Sequence, residues 1–216
     1  FGWLSSRCDL ETRPMIVMRN LTFADGRATT PPSELQDVGG GGAIAMRGGR
    51  LVVEDSRFTR NTTVAAHPDW GGGAVRVTGM QATATIRRCA FDANTGANGG
   101  AVSALGAPML IEASTFTGNR ATGSGASSGQ GGNGGAVYFD GGSQEVRIVS
   151  SSITGNHAPE GGSGVFYVSN NRGGLLSIDR STITGNTGER FWTSPYRDIF
   201  YLGRTALPAV TASAID

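Results

Sequence analysis

An all-β fold is predicted: a right-handed parallel β-helix, or β-solenoid, of about six irregular coils running through residues 1–216 as one segment. Three observations carry this reading. A short unit recurs six times, a second Gly-rich unit falls between its copies, and no helical period separates them.

The first unit holds alternating apolar positions, a small residue, a large apolar anchor and then usually Asn. The anchors are Phe23, Phe58, Phe91, Phe116, Ile153 and Ile183, spaced 35, 33, 25, 37 and 30 residues apart. The unit stays constant while its connections vary. Five positions before each anchor stand Met18, Val53, Ile86, Ile111, Ile148 and Ile178, an apolar column suited to strands stacked on strands. Two before stand Leu21, Ser56, Cys89, Ser114, Ser151 and Ser181, a small inward column. Three after stand Gly26, Asn61, Asn94, Asn119, Asn156 and Asn186. The five asparagines are expected to form an internal ladder, each amide bonding its neighbour and the local turn.

The second unit reads Gly-Gly-Ala-(Ile/Val). Period-two spacing turns Ile44, Val75, Val102, Val137 and Val165 inward, together with Met46, Val77, Ala104, Phe139 and Tyr167. Between them Ala45, Arg76, Ser103, Tyr138 and Phe166 face outward. A typical repeat is thus expected to hold two short strands, with paired glycines supplying corners and close backbone approach. Residues 121–135, rich in Gly and Ser, are expected to form a loop insertion. After Asn186 the pattern weakens, and Asp198-Ile199 with Ala212 to Ile215 fits either a further coil or a cap. Bare solenoid ends expose strand edges, so the natural chain is expected to be longer.

The chain holds 18 basic and 17 acidic residues, a formal charge of +1, which gives no reason to expect nucleic acid as a partner. No apolar run approaches a membrane span, so direct membrane insertion is not expected. The 35 glycines follow no Gly-X-Y period, which excludes collagen.

The copies Gly41-Gly42-Ala43-Ile44, Gly72-Gly73-Ala74-Val75, Gly99-Gly100-Ala101-Val102 and Gly134-Gly135-Ala136-Val137 alternate with Phe-x-x-Asn at Phe58 to Asn61, Phe91 to Asn94 and Phe116 to Asn119. This pattern resembles the repeats of the chlamydial polymorphic outer membrane proteins, within the broad pectate-lyase-like group. The resemblance covers Met15 to Asn186. Ile153 and Ile183 depart from its Phe, and Gly26 from its Asn. It implies a surface or secreted adhesin with a β-helical passenger region, and names no ligand. Similarity to pectate-lyase-like β-helices implies a polysaccharide lyase or glycoside hydrolase as the alternative.

Such an enzyme needs paired or clustered carboxylates. Glu54, Glu112 and Asp179 share the column four before the anchor, but two coils, or about 10 Å, separate successive members. Arg87 lies between the first two and is expected to neutralise them, while Asp55 is expected to pair with Arg88. No catalytic, metal-binding or cofactor-binding set emerges. His67 and His157 lie in turns without partners at metal-ligand spacing. Cys89 is expected to be a buried free thiol, since Cys8 lies two repeats below and a disulfide needs Cα atoms under about 7 Å apart. Of two sequons, Asn20 is the more available acceptor, because Asn61 belongs to the ladder. Stacked Tyr138 and Phe166 mark a candidate binding face unless a loop buries them, and Trp70 and Trp192 are further candidates. A hydroxyl-rich column, Thr59, Thr117, Thr154 and Thr184, is interrupted by Asp92 and reads as a solvated strand face.

The expected function is a noncatalytic adhesion or scaffold segment, extracellular or on a cell surface. Its expected partner is a surface protein or glycan, or a larger extracellular assembly of which it is a structural subunit.

Overall fold

The computed structural model describes residues 2–4, 14–29, 39–63, 70–79, 81–123, 131–188 and 190–216. Among these, every regular element is a strand and every ladder is parallel. Three seven-stranded sheets and one four-stranded sheet run along a common axis.

The first sheet carries the Gly-Gly-Ala strands, from Gly2–Leu4 through Ile44–Arg47, Val75–Thr78, Val102–Leu105, Val137–Gly141 and Val165–Ser169 to Ile199–Leu202. Its register stacks Ile44, Val75, Val102, Val137, Val165 and Ile199 in one inward column, as the alternation requires. The second sheet runs from Met15–Arg19 to Ala209–Thr211 and stacks Met18, Val53, Ile86, Ile111, Ile148, Ile178 and Val210. The third runs from Thr22–Ala24 to Ala214–Ile215 and stacks the anchors, ending on Ile215.

The expected two strands per repeat are therefore three, with a two-residue fourth strand in the first four coils. The first unit breaks in the middle. Asn20, Asp55, Arg88, Ala113, Ser150 and Arg180, three before each anchor, all take φ between 46° and 55°. This left-handed corner ends one strand and starts the next. It also explains why positions separated by an odd number of residues both point inward. No glycine marks the corner, so composition carried no signal for it; stacking on neighbouring coils holds non-Gly residues in a region they otherwise avoid.

The irregular tail is a further coil, with Ile199–Leu202, Ala209–Thr211 and Ala214–Ile215 each extending a sheet. Both ends of the expected insertion at 121–135 belong to coils. Ala121 pairs with Gly96 in the fourth sheet, and residues 131–135 are buried within the next coil. Residues 124–130, Cys8 and His67 lie outside the described residues.

The glycines work as the close-approach reading requires. The first of each pair has positive φ, as in Gly72 at 69° and Gly99 at 61°. The second meets backbone on two sides: a Cβ on Gly100 would overlap the Gly135 carbonyl oxygen and the Arg120 amide nitrogen.

The core is a set of like-on-like stacks. Phe23, Phe58, Phe91 and Phe116 stack face to face with centroids 4.8, 4.6 and 4.6 Å apart. The serine column forms a second file of hydrogen bonds. Ser114 Oγ donates to Glu112 O at 2.8 Å and accepts Cys89 N–H at 3.1 Å, and Ser151 and Ser181 repeat the arrangement. Cys89 is a buried free thiol in this file, and burial pushes its pKa up.

Gly100→Ala should fold poorly or lose several kcal/mol, on the order of an overpacked core site, whereas Gly118→Ala, where a Cβ would have nothing within 4 Å, should lose only the cost of its left-handed φ, about 1 kcal/mol. Urea unfolding of both variants measures the contrast.

Candidate functional site

The Asn ladder is formed as expected. Nδ2 of Asn61, Asn94 and Asn119 donates to Oδ1 of the next Asn at 2.9 Å, and Asn156 donates to Asn186 at 2.8 Å. The same Oδ1 also accepts the backbone N–H of the Asn below, as Asn94 Oδ1 does from Asn61 N at 3.0 Å. The second Nδ2 hydrogen reaches the anchor carbonyl of the preceding coil, as from Asn94 to Phe58 O at 3.0 Å. Every polar atom of an interior rung is used.

The ladder has a direction, since each rung donates toward the C-terminal coil. It starts at Gly26, whose N–H donates to Asn61 Oδ1. It ends at Asp198, which the sequence did not single out as a ladder residue. Asp198 Oδ2 accepts Asn186 Nδ2 at 2.6 Å and Asn186 N at 3.1 Å, the same two donors that each Asn oxygen accepts. Ser163 Oγ donates to the other carboxylate oxygen at 3.1 Å. Asp198 occupies the column of Ala43, Ala74, Ala101 and Ala136, where coil six has Gly164. A Cβ on Gly164 would press on Asn186 Nδ2, so this glycine clears the terminal rung. Burial holds the Asp198 carboxyl above its usual range, and the Asp216 carboxylate adds to the rise while the donors oppose it.

The outward carboxylates are held differently. Arg19 Nε reaches Glu54 Oε2 at 2.6 Å; Arg87 bridges Glu54 at 3.1 Å and Glu112 at 2.5 Å. Arg88 grips Asp55 through two bonds of 2.7 and 2.8 Å, and Arg60 grips Asp25 likewise at 2.8 Å. These arginines hold Glu54, Asp55 and Asp25 below the ordinary carboxylate range. The column is thus an ion-pair chain, as its Arg87 suggested. A groove of about 560 Å³ beside it is lined by Asn20, Asp55, Arg57, Arg88 and Thr115. His157 Nδ1 contacts Thr187 Oγ1 at 2.9 Å, and burial lowers its pKa. Among the described residues no group of three or more His, Cys, Asp or Glu is placed to hold a metal ion.

Of the two alternatives open for the aromatic face, exposed or covered, the structure shows it covered. Tyr138 and Phe166 stack at 5.0 Å as the register predicts, yet they are 6% and 8% exposed. Phe200 continues the stack at 4.8 Å, and Phe191 meets both Phe166 and Phe200 edge to face. The glycine-rich segment entering each coil lies back over the outer face of the first sheet. Gly40 lies against Arg76, Gly71 against Ser103 and Gly99 against Tyr138, each without room for a Cβ. Trp70 is buried as well, its ring against Gly39. Of the four candidate aromatics, Trp192 is the exposed one, at 42%, with the Arg197 guanidinium 5.3 Å from its ring centroid. Sequence alternation gave the direction of these side chains but not the second layer folded over them.

Asn20 is exposed at a left-handed corner, while Asn61 is fully buried in the ladder.

Stacked parallel coils around a like-on-like core define a β-solenoid. The chain belongs to the right-handed β-helix family: the model of that family, described as a right handed beta helix region, matches residues 6–134. No curated protein and no solved structure matches the chain.

Asp198→Ala removes the acceptor from two half-buried donors of Asn186 and should cost about 1–3 kcal/mol. Asp198→Asn keeps an acceptor there and should cost much less. Because the folded pKa of Asp198 is raised, its proton binds more tightly in the folded chain. Its contribution is full below the unfolded value, about 4, and is lost as pH rises through the folded value. Denaturant melts across that window should show the stability difference moving in favour of Asp198→Asn as pH rises.

Proposed function

We propose that this chain is a noncatalytic adhesion or scaffold rod that works outside the cell or on its surface. The observation that carries this reading is the use of its carboxylates. Glu54, Asp55 and Glu112 are each held by an arginine of a neighbouring coil, and the pKa values of Glu54 and Asp55 are lowered. A glycosidase acid needs the reverse, a carboxyl kept protonated beside a second carboxylate. Asp198, whose pKa is raised, has both oxygens committed to the ladder and to Ser163. The repeats' resemblance to the chlamydial polymorphic outer membrane proteins supports the adhesive reading. A carbohydrate or a protein on a surface is the proposed partner, with Trp192 as the aromatic contact available to it.

The test is a glycan-array screen of the purified chain with and without calcium, followed by analysis of the bound glycans for cleavage. Binding without cleavage, weakened at least about tenfold by Trp192→Ala as for an aromatic hot spot, is the expected result. Cleavage would overturn the noncatalytic reading. Silence on every glycan would move the partner to protein.

A further inference from the structure

We propose that the outer face of the second sheet, over its first four coils, is a self-association surface that pairs two copies of this chain as antiparallel rods. This goes beyond the adhesive reading and does not depend on which surface the rod binds.

The strands Met15–Arg19, Arg50–Glu54, Thr83–Arg87 and Met109–Glu112 are in register. Two outward columns run across them. One is Val17, Val52, Thr85 and Leu110; the other is Arg19, Glu54, Arg87 and Glu112. The first column, apolar apart from Thr85, is exposed at its end, with Val17 at 40% and neighbouring Met15 at 58%, while Val52 is 9% exposed. The charged column alternates strictly in sign. Its inner members, Glu54 and Arg87, each bond two neighbours. The end members, Arg19 and Glu112, are each engaged by one salt bridge, and their side chains are 60% and 37% exposed.

A sequence of charges reading plus, minus, plus, minus is its own complement when reversed. A two-fold axis lying along the strands inverts the coil order but keeps each column opposite itself. Arg19 then faces Glu112 of the second copy, and Glu54 faces Arg87. The same operation sets Val17 against Leu110 and Val52 against Thr85. Parallel pairing, with the axis along the rod, would instead set Arg19 against Met15 and Arg87 against Thr83, and would leave Glu54 facing Arg50 as its one kind of opposite-sign pair where antiparallel pairing has two. Charge complementarity therefore selects both the occupant, a second copy, and its orientation. Four strands about 4.8 Å apart, three of five residues and one of four, span roughly 300 Å² per chain, well under the roughly 800 Å² of a standard stable interface. The pair is weak and forms at high protein concentration.

Sedimentation equilibrium of the full chain in reducing buffer, over a concentration series, measures it. Arg87→Glu places like charges opposite one another twice in a homodimer, and so does Glu54→Arg. Each variant alone should weaken association at least about tenfold. Mixed in equal amounts they restore four opposite-sign pairs, and association should return. Val17→Glu, at an exposed outward position, serves where an ion-pair variant fails to fold; it should lose association while keeping its melting temperature. Wild-type chain that remains monomeric at the highest reachable concentration overturns the proposal. So does a folded Val17→Glu that associates like wild type, or a mixture of folded charge variants that stays monomeric.

Discussion

Every side chain in this rod must live about 4.8 Å from its own counterpart in the next coil. That spacing sorts residues more strictly than burial does. Aromatic rings satisfy it by stacking, as four phenylalanines do at 4.6–4.8 Å. Carboxamides satisfy it because one group both donates and accepts, so identical residues can bond in file. Hydroxyls do the same through the backbone, as the serine column shows. Like charges cannot repeat at this distance without cost, and the outward column accordingly alternates Arg19, Glu54, Arg87 and Glu112.

The same constraint explains what could be read from the sequence. Stacked columns leave a copy of themselves in each repeat, so the anchors, the aliphatic columns, the asparagines and the Gly-Gly-Ala strands were all visible, with their register. Features made once, or by backbone alone, were not. The corner three before each anchor is occupied by Asn, Asp, Arg, Ala, Ser and Arg, residues with nothing in common except a φ near 50°. The covering of Tyr138 depends on glycine backbone folding over the first sheet, which a period-two pattern does not encode. Asp198 was visible as the start of a possible coil but not as a rung. It reaches the ladder from the alanine column of another sheet rather than from the asparagine column. Gly164 in place of that alanine was the available signal, and it acquires meaning only once the two columns are known to touch.

The double layer over the first sheet covers side chains that strand alternation turns outward. Arg76, Ser103, Tyr138 and Phe166 point away from the core and are nevertheless buried, so this sheet is packed on both faces. What it offers is stiffness: a ribbon of glycine backbone against the outer face, bonded coil to coil through contacts such as Gly99 N to Asn133 O at 2.9 Å. The outward side chains left open lie on the second and third sheets and on the connection that carries Trp192.

On those two sheets the outward pattern is periodic. The third presents Thr115, Ser152 and Thr182 in one column and Thr117, Thr154 and Thr184 in another, a registered hydroxyl face over three coils. The second presents alternating charge beside an apolar column. In the proposed binding role such a surface would recognise by repetition, because each coil adds a similar small contact at a fixed interval. Affinity would then grow with the number of coils engaged, and losing one contact would remove one increment rather than the whole. Register, held by the ladder from Gly26 to Asp198, is what keeps those increments in phase.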